Sequence, residues 1–134
     1  MKTLSVFVVL VCFVVVGACA TTKVAPNAVT LKIEYQWKPG NACSTTSPEI
    51  KVTGIPKTTK KLRVKLTDLN VPSYNHGGGT VEYKGSNVIK AGALDYYKGP
   101  CPPSGTHRYS IKVDAIDASG VIVGTGETTK SCCQ

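Results

Sequence analysis

The stretch VTLKIEYQW at residues 29–37 decides the fold class, because apolar and polar side chains alternate along it without a break. A period of two residues is typical of a β-strand with one buried face. The predicted buried face consists of Val29, Leu31, Ile33, Tyr35 and Trp37. The stretches KKLRVKLT at 60–67 and RYSIKVDA at 108–115 alternate in the same way, and shorter strands are predicted at 50–53 and 121–123.

Turn-forming residues separate these strands, and no stretch shows the sustained 3.6-residue spacing of a helix. The segment DASG at residues 117–120 lies between the last two strand patterns and predicts a hairpin turn. A chain of 134 residues has room for one domain. We therefore predict a single all-β domain, an antiparallel β-sandwich with little helix.

The first twenty residues have the pattern of a secretory signal peptide. Lys2 is followed by an apolar run from Leu4 to Val16, and small residues close the segment. Export leaves a domain of residues 21–134. No later apolar run is long enough to cross a bilayer, so we predict no transmembrane span in the mature chain.

Two cleavage sites are compatible with this leader. The small residues Ala18-Cys19-Ala20 favour a cut after residue 20 and free secretion. The residues Val16-Gly17-Ala18-Cys19 also resemble a bacterial lipobox, in which the signal is 1–18 and Cys19 carries a lipid anchor. We favour free secretion and keep the lipid-anchored form as the alternative.

The charge of the mature chain favours anionic partners. Residues 21–134 contain 15 Lys and Arg against 8 Asp and Glu, a net charge of +7. The basic residues are spread along the chain, and their one cluster, KTTKKLR at 57–63, contains no aromatic residue that could stack on bases. We therefore interpret the positive charge as a solvated basic surface and predict no nucleic-acid binding.

Four cysteines remain after the leader, namely Cys43, Cys101, Cys132 and Cys133. In an exported chain, disulfides are the expected outcome. Adjacent cysteines rarely bond each other because the bridge is strained. Either the first two each pair with one of the C-terminal two, or Cys43 pairs with Cys101 and the tail stays free. No Cys-x-x-Cys spacing occurs, so we predict no metal site.

Two polar, Gly/Pro-rich segments, residues 68–79 and 99–109, contain both histidines of the protein, His76 and His107. Loops at strand ends are where sites usually form. Imidazoles, a tyrosine hydroxyl and the amides of a Gly-rich turn at 77–79 can donate to phosphate or carboxylate oxygens. Asp68 could orient one histidine or accept from a ligand ammonium group. The alternative is that both histidines are surface residues and 77–79 is a flexible loop.

Four motifs occur in one order: SPEI at 47–50, GIPKTTKKL at 54–62, DLNVP at 68–72 and GPCPPSGTHRY at 99–109. This order resembles the phosphatidylethanolamine-binding protein family, in its bacterial-type Raf kinase inhibitor-like branch. The resemblance covers roughly residues 35–117, and HRY at 107–109 is its most specific element. It implies a β-sandwich with a small anion pocket at one end.

The resemblance also implies which residues surround phosphate, acetate or a phosphoethanolamine head group. These are Asp68, His76, Gly99, Pro100, His107 and Tyr109. The chain departs from the family pattern at Leu69 and Asn70, which replace a proline and a second aspartate. The stretch after Pro72 is also shorter than in the family and lacks its usual Trp-His dipeptide. The chain also ends without the C-terminal helix of larger members.

From these observations we predict an exported, non-enzymatic protein that binds a small anion such as a phospholipid head group, without a cofactor. The alternative is a peptidase inhibitor or another protein-interaction role through the same loops, with an extracellular peptidase as the partner. Ser73 and Ser104 lie close to the histidines in the sequence, but no nucleophile motif surrounds them. We therefore predict no catalytic residue.

Overall fold

A computed structural model of the protein describes residues 22–133. The predicted signal peptide, both cleavage sites and Cys19 lie outside these residues. The described part of the chain contains nine β-strands and no helix. The strands are β1 (Val24–Thr30), β2 (Lys32–Tyr35), β3 (Ile50–Thr53), β4 (Thr59–Asp68), β5 (Gly77–Glu82), β6 (Val88–Ile89), β7 (Tyr96–Tyr97), β8 (His107–Asp117) and β9 (Ile122–Cys132).

The strands form two sheets that enclose one hydrophobic core. One sheet has six strands in the order β1-β9-β8-β4-β5-β7, and the other has three in the order β2-β3-β6. The predicted inner faces are buried in this core: Leu62, Val64 and Leu66 of β4 and Tyr109, Ile111, Val113 and Ala115 of β8 share it with Ile33, Tyr35, Ile50 and Val52 of the smaller sheet. The predicted all-β sandwich is confirmed.

The long strand predicted at 29–37 is divided between the two sheets. The chain leaves the larger sheet at Leu31, whose amide donates to the carbonyl of Thr125 at 2.8 Å, and β2 then pairs with β3. Val29 is consequently 42% exposed and not part of a buried face. The crossing also makes β1 run parallel to β9. This strand pair departs from the antiparallel sandwich that was predicted.

The predicted hairpin at 117–120 is confirmed. The Asp117 side chain accepts hydrogen bonds from the amides of Ser119 and Val121, each at 2.9 Å, and the Gly120 amide donates to the Asp117 carbonyl. The strand after the turn is longer than predicted, since β9 runs for 11 residues beside β8. As a result, the end of β9 lies beside the start of β8, at the end of the sheet far from this hairpin.

Candidate functional site

Asp68 and His107 lie side by side because β4 ends at the first and β8 begins at the second. The two strands are antiparallel neighbours, with Asp68 opposite Tyr109 in the register. The loop after β4 and the loop before β8 therefore leave the sheet at the same end. Nδ1 of His107 lies 2.7 Å from Oδ2 of Asp68, so two predicted site residues are in direct contact.

The Asp68 carboxylate also holds the start of the following loop. Its Oδ1 atom accepts hydrogen bonds from the amides of Asn70 at 2.8 Å and Val71 at 3.2 Å. Burial by itself raises the pKa of Asp68, but the hydrogen bonds from His107 and from these amides outweigh burial and hold the pKa below its usual range. Asp68 is therefore ionised near neutral pH, where it orients the His107 ring and fixes the path of the loop.

The lowered pKa of Asp68 predicts that the wild type loses stability in acid, and that the Asp68→Asn variant lacks this contribution to the loss. Because the folded-state pKa is below the unfolded value of about 4, the carboxylate contributes stability above that pH and loses its contribution as the pH falls through the folded-state pKa. We expect the free energy of unfolding in urea to fall between about pH 5 and about pH 3 in the wild type, and to fall less steeply in the variant. Equal slopes would contradict this role of Asp68.

His76 lies directly before β5 and is 4% exposed. Its Nδ1 atom lies 2.8 Å from the carbonyl oxygen of Lys98, and the Lys98 amide donates to the His76 carbonyl at 2.9 Å. A carbonyl or carboxylate oxygen can only accept, so Nδ1 carries the proton in His76 and, opposite ionised Asp68, in His107. In both rings Nε2 is the nitrogen left for a ligand.

Tyr109 packs against both imidazoles and is fully buried. Its ring centroid lies 5.4 Å from that of His76 and 6.3 Å from that of His107. Burial, and secondly the nearby Asp68 charge, raise the pKa of Tyr109 to about 12. The neutral hydroxyl is a proton donor that lies near the Asp68 carboxylate and the Cys101 backbone but makes no close hydrogen bond to a described residue. A buried donor without a good hydrogen bond costs free energy, and an acceptor that binds next to it removes this cost.

A cavity of about 170 Å³ opens beside this cluster. It is lined by Asp68, Val71, Tyr74, His76, Cys101, Pro102 and Pro103. His107 and Tyr109 are not part of this lining but adjoin it, since His107 contacts Asp68 and Tyr109 packs against His76. Pockets for larger organic ligands measure about 300–1,000 Å³, so this cavity suits a small group. An open depression of about 550 Å³ along β2 and β9 is larger, but neither imidazole lines it.

The apolar part of this lining was not predicted from the sequence. Val71, Tyr74, Pro102 and Pro103 all lie within the polar, Gly/Pro-rich segments 68–79 and 99–109, where only polar residues and the Gly-Pro pair were predicted as site residues. The signal that could have found them is an apolar side chain in a loop that is otherwise polar.

Gly99 and Pro100 are buried, but they support the cavity wall and do not line it. The Gly99 amide donates to the carbonyl of Ser44 at 2.7 Å, and the Pro100 carbonyl accepts from the Cys43 amide at 2.7 Å. A Cβ atom at residue 99 would lie 2.5 Å from the carbonyl oxygen of Asn41, so only glycine fits. These two residues anchor the wall formed by residues 101–103 to the loop that contains Cys43.

The disulfides follow the second predicted pairing only in part. Cys43 is bonded to Cys101, as that arrangement predicted, but the tail is not free, because Cys132 and Cys133 are bonded to each other. The prediction that adjacent cysteines would not bond is therefore wrong. With Cys101 occupied, each C-terminal cysteine has the other as its nearest partner, and Cys133 takes a left-handed backbone conformation with a φ of 76°. Cys132 is opposite His107 in the β8–β9 pairing, so this bridge borders the site.

The Gly-rich segment 77–79 is neither a turn nor a flexible loop. It forms the first half of β5, which pairs with β4 on one side and β7 on the other. The expectation that its amides would bind an anion as a turn is therefore wrong. What this segment does is hold His76, the residue before it, at the end of the sheet.

Comparison with known proteins assigns this fold. The family model described as phosphatidylethanolamine-binding protein matches residues 21–132, and the chain therefore belongs to that family. The crystal structure of CT736 from Chlamydia trachomatis, a homologue of phosphatidylethanolamine-binding protein, has a TM-score of 0.61 and 20% identity, covering 81% of this chain and 99% of its own. Escherichia coli YbcL, described as a new member of the mammalian family, has a TM-score of 0.56 and 18% identity over 75% of this chain and 96% of its own. A search of curated protein sequences found no match.

Two further findings concern the described residues as a whole. No helix in residues 22–133 has the length and apolar character needed to cross a membrane. Within the same range, His, Cys, Asp and Glu side chains form no group of three or more that could hold a metal ion. The Cys43–Cys101 disulfide is consistent with a location outside the cytoplasm.

Proposed function

We propose that this protein is an exported, non-catalytic binding protein that holds a small anion, such as a phosphoethanolamine-like head group, beside Asp68 and His76. The observation that carries the proposal is that both imidazoles, which pack against the same Tyr109 ring, have Nδ1 occupied and Nε2 left for a ligand. Nδ1 of His107 is occupied by Asp68, and Nδ1 of His76 by the Lys98 carbonyl. Each ring, when protonated, has one N–H group left to donate from Nε2.

The remaining groups of the site match the two charges of such a head group. The neutral Tyr109 hydroxyl adds a third donor for phosphate oxygens. The Asp68 carboxylate, which lines the cavity, can accept from an ammonium group. A ligand that carries both phosphate and ammonium would therefore bind to the donors through its phosphate and to the Asp68 carboxylate through its ammonium group.

The cavity lining also favours binding over catalysis. Serine, threonine, cysteine and lysine are common nucleophiles of covalent catalysis and are activated by an adjacent base or a lowered pKa. The side chains that line the cavity include no serine, threonine or lysine, and the sulfur of Cys101 is bonded to Cys43. Ser73 and Ser104, considered from the sequence, are both exposed and do not line the cavity.

Titration with phosphoethanolamine, followed by NMR of the histidine ring protons, tests the proposal. We expect the shifts to be largest at His76 and His107. His107→Ala should weaken binding by about 2 kcal/mol, roughly thirtyfold in Kd, because one charge-assisted hydrogen bond is lost. The matched control is Ser104→Ala, an exposed residue of the same loop, which should bind as the wild type does.

Unchanged affinity in His107→Ala would contradict the proposed pocket. A protein-interaction role through the same loops makes a different prediction: inhibition of an extracellular peptidase would then survive this substitution, because the contacts would lie on the loop surface.

A further inference from the structure

The outer face of the six-stranded sheet carries four residues that the register aligns across β7, β5, β4 and β8. They are Tyr96, Gly78, Lys65 and Lys112, each paired with the next. Successive side chains of a strand point to opposite faces of the sheet, and the neighbours of both lysines along their strands are buried in the core. The two lysines and the Tyr96 ring are therefore exposed to solvent on the same face. We call these four residues the outer row.

The two lysines of the outer row repel each other. They lie directly opposite on adjacent antiparallel strands, where like charges are destabilising. Lys65 makes no ion pair with a described residue, and Lys112 reaches only Asp114, at 3.8 Å. That carboxylate is already held by Arg63 at 2.8 Å and accepts from the Thr125 hydroxyl at 2.7 Å. An anion that binds between the lysines removes their repulsion, so this part of the sheet suits a negatively charged ligand.

A depression of about 500 Å³ lies along the outer row, and its lining also includes Asn75 and Thr80. Tyr96 is 80% exposed, the largest exposed fraction among the large hydrophobic side chains of the described residues. Because Gly78 has no side chain, the space between the Tyr96 ring and the Lys65 ammonium group stays open. Adjacent strands are about 4.8 Å apart, so the backbones of these two residues, two strands apart, are separated by about 10 Å. The gap is wide enough for one sugar ring that carries a carboxylate.

A second depression, of about 670 Å³, continues the surface on the other side of Tyr96. The two depressions share Asn75, Gly77 and Tyr96. Oδ1 of Asn75 accepts from the Gly77 amide at 2.9 Å, so the NH2 group of this side chain is left to donate to a ligand. The charges of the second depression balance, since its lining contains Lys98 and Asp95. A surface that continues in this way suits a chain molecule better than a single small ion.

We propose that the outer face of the six-stranded sheet binds an acidic polysaccharide, a chain of uronic-acid residues. One sugar ring stacks its C–H face on Tyr96, and its carboxylate lies between Lys65 and Lys112. Its hydroxyl groups bond to Asn75 and Thr80. A single-stranded nucleic acid stacks successive bases on several aromatic side chains, whereas Tyr96 is the one aromatic residue in the described lining of the first depression. No residue of the outer row lines the candidate anion cavity, so the two sites are separate.

Calorimetric titration of the full protein with a galacturonate oligomer tests this site. We expect Tyr96→Ser, and separately the double variant Lys65→Gln with Lys112→Gln, to weaken binding about tenfold each. Tyr96→Phe keeps the ring and should retain most of the affinity. The matched control is Lys32→Gln with Lys51→Gln, which removes the same charge from the exposed face of the smaller sheet. It should bind the oligomer as the wild type does.

Thermal unfolding shows that a loss of binding is not a loss of fold. Because Lys65→Gln with Lys112→Gln removes a like-charge contact, its melting temperature should not lie below that of the wild type. Saturating galacturonate oligomer should raise the melting temperature of the wild type and leave that of the double variant nearly unchanged. Equal affinities in the two lysine double variants, or no binding of the oligomer by the wild type, would overturn the site.

Three other polymers identify the kind of ligand. Polyglutamate and single-stranded DNA carry negative charge without uronic-acid rings, and dextran carries sugar rings without charge. We expect the wild type to bind the galacturonate oligomer more tightly than any of them. Equal affinity for polyglutamate or DNA of the same charge would replace the polysaccharide by an acidic peptide or a nucleic acid. Equal affinity for dextran would contradict the role of the two lysines.

Discussion

Replacing Cys43 and Cys101 together with serine is expected to lower the free energy of unfolding by about 4 kcal/mol. The bridge joins residues 58 positions apart, and closing a loop of that length removes a large amount of conformational entropy from the unfolded chain. It also ties the loop after β2 to Cys101, which lines the cavity. We therefore expect weaker binding of phosphoethanolamine as well as lower stability.

Unfolding in guanidinium chloride, followed by circular dichroism, measures this effect. The matched control is the double variant Cys132→Ser with Cys133→Ser, which removes the same number of sulfur atoms and one bridge. Because that bridge joins adjacent residues, it closes almost no loop, and the control should lose far less stability. Equal losses in the two double variants would show that loop closure is not the source of the stabilisation.

Gly78→Ala is expected to destabilise the protein by more than about 3 kcal/mol. A Cβ atom at this position would lie 2.0 Å from the carbonyl oxygen of Val64, and the backbone has a φ of 148°. Val64 lies in the middle of β4, so the backbone that would have to move is part of the sheet interior. The change should also displace His76, two residues earlier, and thereby weaken anion binding.

Gly105→Ala is the control for this prediction. Gly105 also has a positive φ, of 67°, but no atom lies within 4 Å of the Cβ position. Gly105→Ala should lower the free energy of unfolding by about 1 kcal/mol, because only the left-handed backbone conformation is unfavourable for alanine there. Thermal unfolding of both variants distinguishes the two effects. Similar melting temperatures would mean that 77–79 tolerates side chains, as a flexible loop would, and that β5 does not hold His76.

The alternation of side chains predicted the strands well where a strand stays in one sheet. In β4 and β8, each apolar position that was assigned to the inner face is buried. The prediction failed at residues 29–37, where the alternation continues although the chain changes sheets at Leu31. A period of two reports which side chains share a face, and it carries no information on which neighbouring strand pairs with that segment.

The candidate site was predictable as a set of residues but not as an arrangement. Spacing and family resemblance selected Asp68, His76, His107 and Tyr109, which the fold brings together. The acceptor for His76 is the backbone carbonyl of Lys98, and any residue type at that position could supply it. The wall residues Pro102 and Pro103 were passed over because their contribution is shape, which depends on how the loop is anchored to Ser44 and Cys43.

The amino-acid pattern by itself determined the β character of the chain, the inner faces of its longest strands and the two segments that carry its chemistry, because these are properties of residues close together in the chain. The tertiary structure alone decided the parallel pairing of β1 with β9, the bonding of Cys132 to Cys133 and the meeting of Asp68 with His107. The first and third of these depend on strand order and register, which are set by the packing of a whole core and not by any single stretch. The second depends on the pairing of Cys101 with Cys43, residues 58 positions apart in the chain.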